Sequence, residues 1–222
     1  MKFSENFIGS AIQARLAAIG LNNVTGARYF TNAIDTRTDG VDVVANYGID
    51  FRQNGVLRFT GGYNQTHTRV KDVIPTPPEL SGFDEQLFGR AERGRIEVAQ
   101  PRDNVLLSAN YTRGVFGGVL RTQRFGEVTN KQIKVATNQP PDQTFSAKWV
   151  TDVSASWRIL NPVTLGLGVD NVFDVYPDRQ SDNGDVTRNY AGNANFGMNP
   201  YSGISPFGFN GRFLWVKASY GF

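Results

Sequence analysis

The chain carries one histidine, His67, set between Thr66 and Thr68. A hydrolytic triad built on it would need a serine and an acid or amide brought beside it from neighbouring strands. No G-x-S-x-G elbow supplies the nucleophile, and no cysteine offers a thiolate alternative. One histidine cannot make a His-rich metal site, and the aspartates and glutamates lack the spacing of a calcium loop. The residue types therefore argue against an enzyme, with no catalytic residue, no metal site and no cofactor expected, and leave His67 as a polar group at the base of a loop. What remains is binding chemistry. Arg58, Arg158 and Lys217 lie on polar faces where they would suit an anionic ligand, although a solvated wall is the simpler role for each. Tyr190, Asn193, Asn195, Phe196, Asn199, Tyr201 and Phe207 form an aromatic and amide-rich stretch able to stack and to hydrogen-bond, a composition equally common in loops that bind nothing.

Strands must position these groups. Two-residue alternation places one set of side chains on each face of a strand, and it recurs along the chain. Val41, Val43, Ala45, Tyr47, Ile49 and Phe51 alternate with residues that include Asp42, Asn46, Gly48 and Asp50. The same pattern runs through Leu57 to Asn64, Val105 to Thr112, Trp149 to Ile159, Val163 to Phe173 and Leu214 to Phe222. Val115 to Phe125 is strand-like, but its two faces are mixed and its orientation stays open. With 24 glycines in 222 residues, against a usual share of roughly 7%, the composition favours turns and pleated surfaces over helices.

Short turns at Arg52 to Gly55, Arg113-Gly114 and Leu160 to Pro162 alternate with long segments near 66 to 101, 128 to 146 and 174 to 208. Long structureless loops are uncommon in compact soluble domains, whereas outer-membrane barrels pair short periplasmic turns with long extracellular loops. A soluble sandwich would show the same alternation, but its core is reached from both sheets. Here Tyr111, Trp149, Trp157, Tyr176 and Tyr220 sit near strand ends, as aromatic girdles do at membrane interfaces. The mean hydropathy of −0.35 excludes an apolar helical span and leaves a barrel open. A net charge of +3 without a run of like charges gives no sign of a nucleic-acid partner.

If the short turns are periplasmic, Arg28 to Phe51 descends as one strand bulged near Gly40, and Met1 to Glu5 is the upper stub of another. Ser10 to Gly20 reads as a short extracellular helix, with Ile12, Leu16 and Ile19 on one face and Gly20 as its stop.

Two resemblances sharpen this. The last residues alternate through Val216, Ala218 and Tyr220 to a terminal Phe222, and resemble the outer-membrane signature read by the barrel assembly machinery. Gly168-Val169-Asp170-Asn171-Val172-Phe173-Asp174-Val175-Tyr176-Pro177 resembles the late N-L-F-D-x-x-Y segment of TonB-dependent outer-membrane receptors, with Val172 in place of leucine. Phe30 to Thr38 leading into Gly40-Val41-Asp42, and Gly208 to Phe213 before the last strand, are similar to that family as well. The motif residues to follow are Asp170, Asn171, Phe173, Asp174 and Tyr176.

The resemblance implies an all-β fold. Residues 1–222 would supply about seven antiparallel transmembrane strands and an N-terminal stub of an about 22-stranded barrel. It implies the bacterial outer membrane as location, and outer-membrane lipid and the barrel assembly machinery as partners. It further implies TonB-energised uptake of a scarce small-molecule ligand such as a ferric siderophore, a corrinoid or an oligosaccharide. The family's plug domain and TonB box find no counterpart in these residues, so contact with the TonB complex would pass through a region N-terminal to them. This chain alone is expected to be inactive. Arg58, Arg158 and Lys217 would then face either the ligand or the plug. The alternative is a small autonomous barrel or passive pore.

Overall fold

A computed structural model of the chain describes residues 34–75, 88–131, 142–180 and 200–221, together with Ala14, Ala17, Ala18, Gly20, Pro78 and Ser81. Two-residue periodicity becomes long strands: β1 (Ile34–Asp50), β2 (Val56–Val73), β3 (Asp103–Arg113), β4 (Phe116–Phe125), β7 (Lys148–Leu160), β8 (Val163–Asp170) and β9 (Phe213–Tyr220). They form one seven-stranded sheet in the order β1-β2-β3-β4-β7-β8-β9, antiparallel throughout. β5 (Val128–Asn130) and β6 (Gln143–Phe145) pair separately as a small hairpin, and α1 (Arg90–Glu97) is the one full helix among the described residues. Among the described residues the sheet is not closed: β1 and β9 are its two edges.

Neighbours in sequence are neighbours in space, so the connections alternate from end to end of the sheet. At one end the turns are tight. Arg52–Asn54 forms a single 3-10 turn between β1 and β2, with Arg52 and Gly55 at φ of 58° and 97°. Gly114-Val115 and Asn161-Pro162 make the other two turns. At the opposite end lie the long connections 74–102, 126–147 and 171–212.

Cross-strand partners share a face, and the register carries one face across the whole sheet. Val43 stands opposite Tyr63, Tyr63 opposite Val105, Leu107 opposite Thr122, and Leu120 opposite Val153. Val153 stands opposite Val169, and Val169 opposite Leu214. This face is apolar, and the other carries Asp42, Asn64, Arg58, Ser108, Arg121, Asp152, Ser154 and Lys217. Along β1 the apolar band from Val41 to Ile49 is about 27 Å long at the usual rise per residue. Tilted by about 40°, that is about 21 Å of height, close to the lipid-facing band of a transmembrane barrel.

Both large faces are bare. The buried apolar side chains among the described residues are Ala91, Ala99, Val128 and Phe145, none of them on the seven-stranded sheet, while Val216 is 82% exposed and Leu214 70%. A sandwich would have placed its core against this sheet, and no described element packs there. Lipid is the environment in which such a face is stable. Aromatic side chains border the band. Phe116 and Trp157 stack at 5.8 Å near the tight turns, where Tyr111 donates its hydroxyl to the Asn54 carbonyl and Tyr220 lies on the same face. Trp149 and Tyr63 lie toward the other end.

Several expectations change. β2 continues to Val73, so the first long connection begins at 74 rather than 66. From Gln65 upward both faces are polar because this part of the β1–β2 ribbon stands in water on both sides, and alternation cannot report it. β1 carries no bulge near Gly40; the irregularity lies between Asp35 and Thr36, where β2 contributes Lys71 as the extra residue. Gly40 has a different need: a Cβ there would sit 2.7 Å from the Gln65 carbonyl oxygen. β8 ends at Asp170, which leaves Phe173 outside the strand. β4 now has an orientation, with Phe116, Gly118 and Leu120 on the apolar face and Gly117, Val119 and Arg121 on the polar one. The helix expected at Ser10 to Gly20 is seen at Ala14, Ala17 and Ala18, with the Gly20 amide bonded to the Ala17 carbonyl at 3.0 Å and φ of 87°. Ser10, Ile12, Leu16 and Ile19, the stub Met1 to Glu5 and the start of β1 before Ile34 lie outside the described residues.

Candidate functional site

The three predicted cations share the polar face but not a site. Arg58 on β2 stands between Gly48 and Asn110, Arg158 on β7 opposite Thr164, and Lys217 on β9 opposite Gly166. Arg58 and Arg158 are separated by three strand spacings, about 14 Å. They line one wall at separate heights. The same face carries a set of polar pairs: Thr60 donates to Asn46 at 2.8 Å and Asn64 donates to Asp42 between β2 and β1, and Arg121 of β4 meets Asp152 of β7 at 2.7 Å.

Asp152 was not singled out by sequence, and it is the junction of the wall with the family-like motif. Its second oxygen accepts the Asn171 amide at 2.9 Å, and the Val172 amide bonds to the Thr151 carbonyl at 2.8 Å. Asn171 is held in the left-handed region, φ 53°, where asparagine is better tolerated than most residues. Its side chain closes the turn twice, donating to the Val175 carbonyl at 2.8 Å and accepting the Val175 amide at 2.9 Å.

The motif then reaches across the connection to the start of β9. Asp174 accepts the Arg212 amide at 2.7 Å, and Asp170 accepts the Trp215 indole N–H at 3.1 Å. Tyr176 stacks on Tyr201, which stacks on Phe209, at 5.8 and 5.9 Å. The negative charge of Asp174, with some desolvation and a hydrogen bond to the same carboxylate, raises the Tyr176 hydroxyl above its ordinary pKa. Gly211 sits against this pair at φ 72°, where a Cβ would overlap the Tyr176 hydroxyl and the Asp174 carboxylate. Asp170, Asn171, Asp174 and Tyr176 therefore act together as a latch that ties both ends of the 171–212 connection to the wall. Phe173 takes no part and is 70% exposed. Tyr176 belongs to this latch and not to a girdle.

A second interlock joins the loops. Asp178 accepts both the amide and the hydroxyl of Ser146 at 2.6 Å and pairs with Lys148 at 2.7 Å. Gln143 donates to the Arg179 carbonyl at 2.6 Å, and Phe125 stacks on Phe207 at 5.4 Å. Val128, Phe145 and Ser202 are buried there, and the gap left among them and Pro206 is about 10 Å³, room for one water at most. This region is a filled satellite core and not a ligand cavity.

Desolvation works against the Asp178 carboxylate, but the hydrogen bonds from Lys148 and Ser146 and the lysine charge outweigh it and hold its pKa below the ordinary value of 3.8. A carboxyl depressed on folding contributes stability above its unfolded pKa and loses it as pH falls through the folded one. The interlock is thus expected to be constant from pH 8 to about 5 and to open below the ordinary carboxylate range. Hydrogen exchange at the Ser146 amide, corrected for the intrinsic rate, measures this. Protection that persists unchanged at pH 2, or that responds identically in Asp178→Asn, would contradict it.

The sequence-marked groups divide accordingly. Val216, Ala218 and Tyr220 line the apolar face of the edge strand β9, while Phe222 lies outside the described residues. Tyr201 and Phe207 join the two stacks, and Tyr190, Asn193, Asn195, Phe196 and Asn199 are outside the described residues. His67 stands on the β1–β2 ribbon opposite Asp39, its Nε2 accepting from Arg69 Nε at 3.1 Å. Among the described residues no group of three or more His, Asp or Glu side chains is placed to hold a metal ion.

A wall of antiparallel strands, apolar outside and polar inside, with tight turns at one end and interlocked loops at the other, defines a segment of an outer-membrane β-barrel. The chain belongs to the family described as TonB dependent receptor-like, beta-barrel, which matches residues 10–172. This is a family of outer-membrane proteins. No curated protein and no solved structure matches the chain. The match spans β1 to β8 and ends inside the motif, after Asp170 and Asn171 and before Phe173, Asp174 and Tyr176.

Proposed function

We propose that the chain is part of the wall of a receptor that captures a scarce small ligand at the cell surface and admits it through the barrel with energy relayed by TonB. The observation that carries this reading is the continuous two-faced register, lipid-compatible on one side and lined with Asp42, Arg58, Arg121, Asp152, Arg158 and Lys217 on the other. A polar wall continuous with latched loops suits passage of a hydrophilic ligand: a ferric siderophore, a corrinoid or an oligosaccharide. The cations favour an anionic member of that set or an inward-facing plug. The apolar row Val216, Ala218 and Tyr220 on an unpaired edge supports recognition by the barrel assembly machinery. No catalytic role is proposed.

With both edges of the sheet open among the described residues, residues 1–222 by themselves should not transport. The test is uptake of labelled ferric siderophore, corrinoid and oligosaccharide by cells expressing the complete receptor, the same receptor without TonB, or residues 1–222 alone. Uptake of one ligand is expected only in the first case. Steady ligand-independent conductance of residues 1–222 in planar bilayers would instead favour a passive pore and overturn the receptor reading.

A further inference from the structure

The chain holds three Asn-Gly pairs, Asn54-Gly55, Asn183-Gly184 and Asn210-Gly211. The second lies outside the described residues. In such a pair the glycine has no Cβ to screen its own amide nitrogen from the Cγ of the preceding carboxamide, so the two can close a five-membered succinimide. Closure needs a glycine amide that is not donating elsewhere and a peptide free to turn. Asn54-Gly55 meets neither condition. The Gly55 amide donates to the Arg52 carbonyl and the Asn54 amide to the Phe51 carbonyl, both at 3.2 Å, while the Asn54 carbonyl accepts the Tyr111 hydroxyl. Asn54 is thereby locked in the 3-10 turn between β1 and β2.

Asn210-Gly211 is placed differently. Asn210 is exposed in the irregular stretch before β9, and among the described residues neither its own polar groups nor the Gly211 amide has a hydrogen-bond partner. The first anchored group after it is the Arg212 amide, held on Asp174 at 2.7 Å. On the other side, Gly208 has no atom within 4 Å of where a Cβ would stand, so the backbone there lies in open space. Water is the one co-reactant required. The Gly211 nitrogen gives up its proton to solvent and bonds to the Asn210 Cγ; the Cγ–Nδ2 bond breaks, and the leaving nitrogen takes a proton from solvent and departs as ammonia. Water then opens the ring. Cleavage at Cγ gives aspartate, and cleavage at the α-carbonyl gives isoaspartate, whose main chain runs through Cγ and is longer by a carbon. One water is consumed for each ammonia released, with no change of oxidation state. Gly211 cannot absorb the extra carbon. At φ 72° it fills a gap against the Tyr176 hydroxyl and the Asp174 carboxylate in which even a Cβ would overlap, and isoaspartate adds a negative charge one residue from that contact.

We propose that Asn210 is a site of spontaneous deamidation and that its isoaspartyl product opens the β9 end of the latch. The modification acts on the chain's own loop clasp whatever the ligand, so it stands or falls independently of the receptor reading. The intact receptor, folded in neutral detergent or unfolded in urea, is incubated at mildly alkaline pH and digested, and the mass gain of deamidation is followed at each asparagine, with isoaspartate separated from aspartate. Dividing the folded rate at each site by its unfolded rate removes the effect of neighbouring residues. This ratio is expected to be at least about fivefold larger at Asn210 than at Asn54, the factor set by opening one ordinary hydrogen bond. Equal ratios, or a larger one at Asn54, would overturn the site. As isoaspartate accumulates, exchange of the Arg212 amide should rise in proportion in wild type and not in N210Q, whose longer side chain would have to close a six-membered ring and does so far more slowly. Arg212 protection that survives conversion would overturn the link to the latch. So would exchange that rises equally in N210Q, which would assign the loosening to general ageing of the sample.

Discussion

Leu120→Arg is expected to destabilise the membrane-inserted protein by about 2 to 4 kcal/mol, the cost of an arginine on the lipid face near the bilayer midplane. Leu120 lies at the centre of β4 on the apolar face, between Ala109 of β3 and Val153 of β7. No described element packs over it. An arginine there can reach water only by lying along the wall toward an interface. Ser154→Arg is the matched control. Ser154 lies on β7 beside Val153 but on the opposite face, between Val119 and Gly168 and close to the charged pair of Arg121 and Asp152. A further cation on that wet face should cost less than about 1 kcal/mol. Urea titration in lipid vesicles, read by the heat-modifiable shift of the folded band, separates the two. Equal destabilisation by both variants would mean that both faces are packed against protein, and the barrel wall would give way to a sandwich.

That contrast could be drawn from sequence for most strands because burial in lipid on one face and water on the other writes a period of two into the residues. β4 escaped because its ends cross the boundaries of the band. Phe125 is on the polar side of the register and is apolar because it stacks on Phe207, while Thr122 and Arg124 are on the lipid side near the outer rim, where Arg124 pairs with Asp103. The upper part of β2 escaped because both its faces meet water. α1 has glycine at its centre and little apolar content, so no helical stripe announces it. It is held from outside, with Glu97 accepting the Val70 amide at 3.0 Å and the Val98 carbonyl accepting the Thr129 amide at 2.8 Å. β5 and β6 have three residues each, too few to show a period. The latch was half visible: Asp170, Asn171, Asp174 and Tyr176 stood out as one motif, and Gly211 and Arg212 as part of another, but their junction, and the parts taken by Asp152 and Trp215, arise only through the fold. A spacing rule along the chain has no access to partners 19 to 45 residues away.

Asn171→Ala should release that latch while leaving the sheet in place. The side chain is nearly buried and satisfies both the amide and the carbonyl of Val175, and the left-handed φ of 53° suits asparagine better than alanine. Truncation orphans two backbone groups in a partly enclosed turn. At about 1 to 3 kcal/mol for a buried unsatisfied group, a local loss of about 2 kcal/mol follows. The ladders of β7, β8 and β9 do not pass through residue 171, so the urea midpoint of the barrel should hardly move. The loss should appear instead as faster hydrogen exchange at Val175 and at Arg212, whose amide is bound to Asp174 on the same turn. Phe173→Ala lies in the same motif with an exposed side chain and should leave both amides protected. Unchanged exchange in Asn171→Ala, or an equal effect of Phe173→Ala, would remove the latch as the motif's role. If the receptor reading holds, a loop freed at one end must be ordered again on each capture, so ligand affinity should fall with the protection while barrel stability does not.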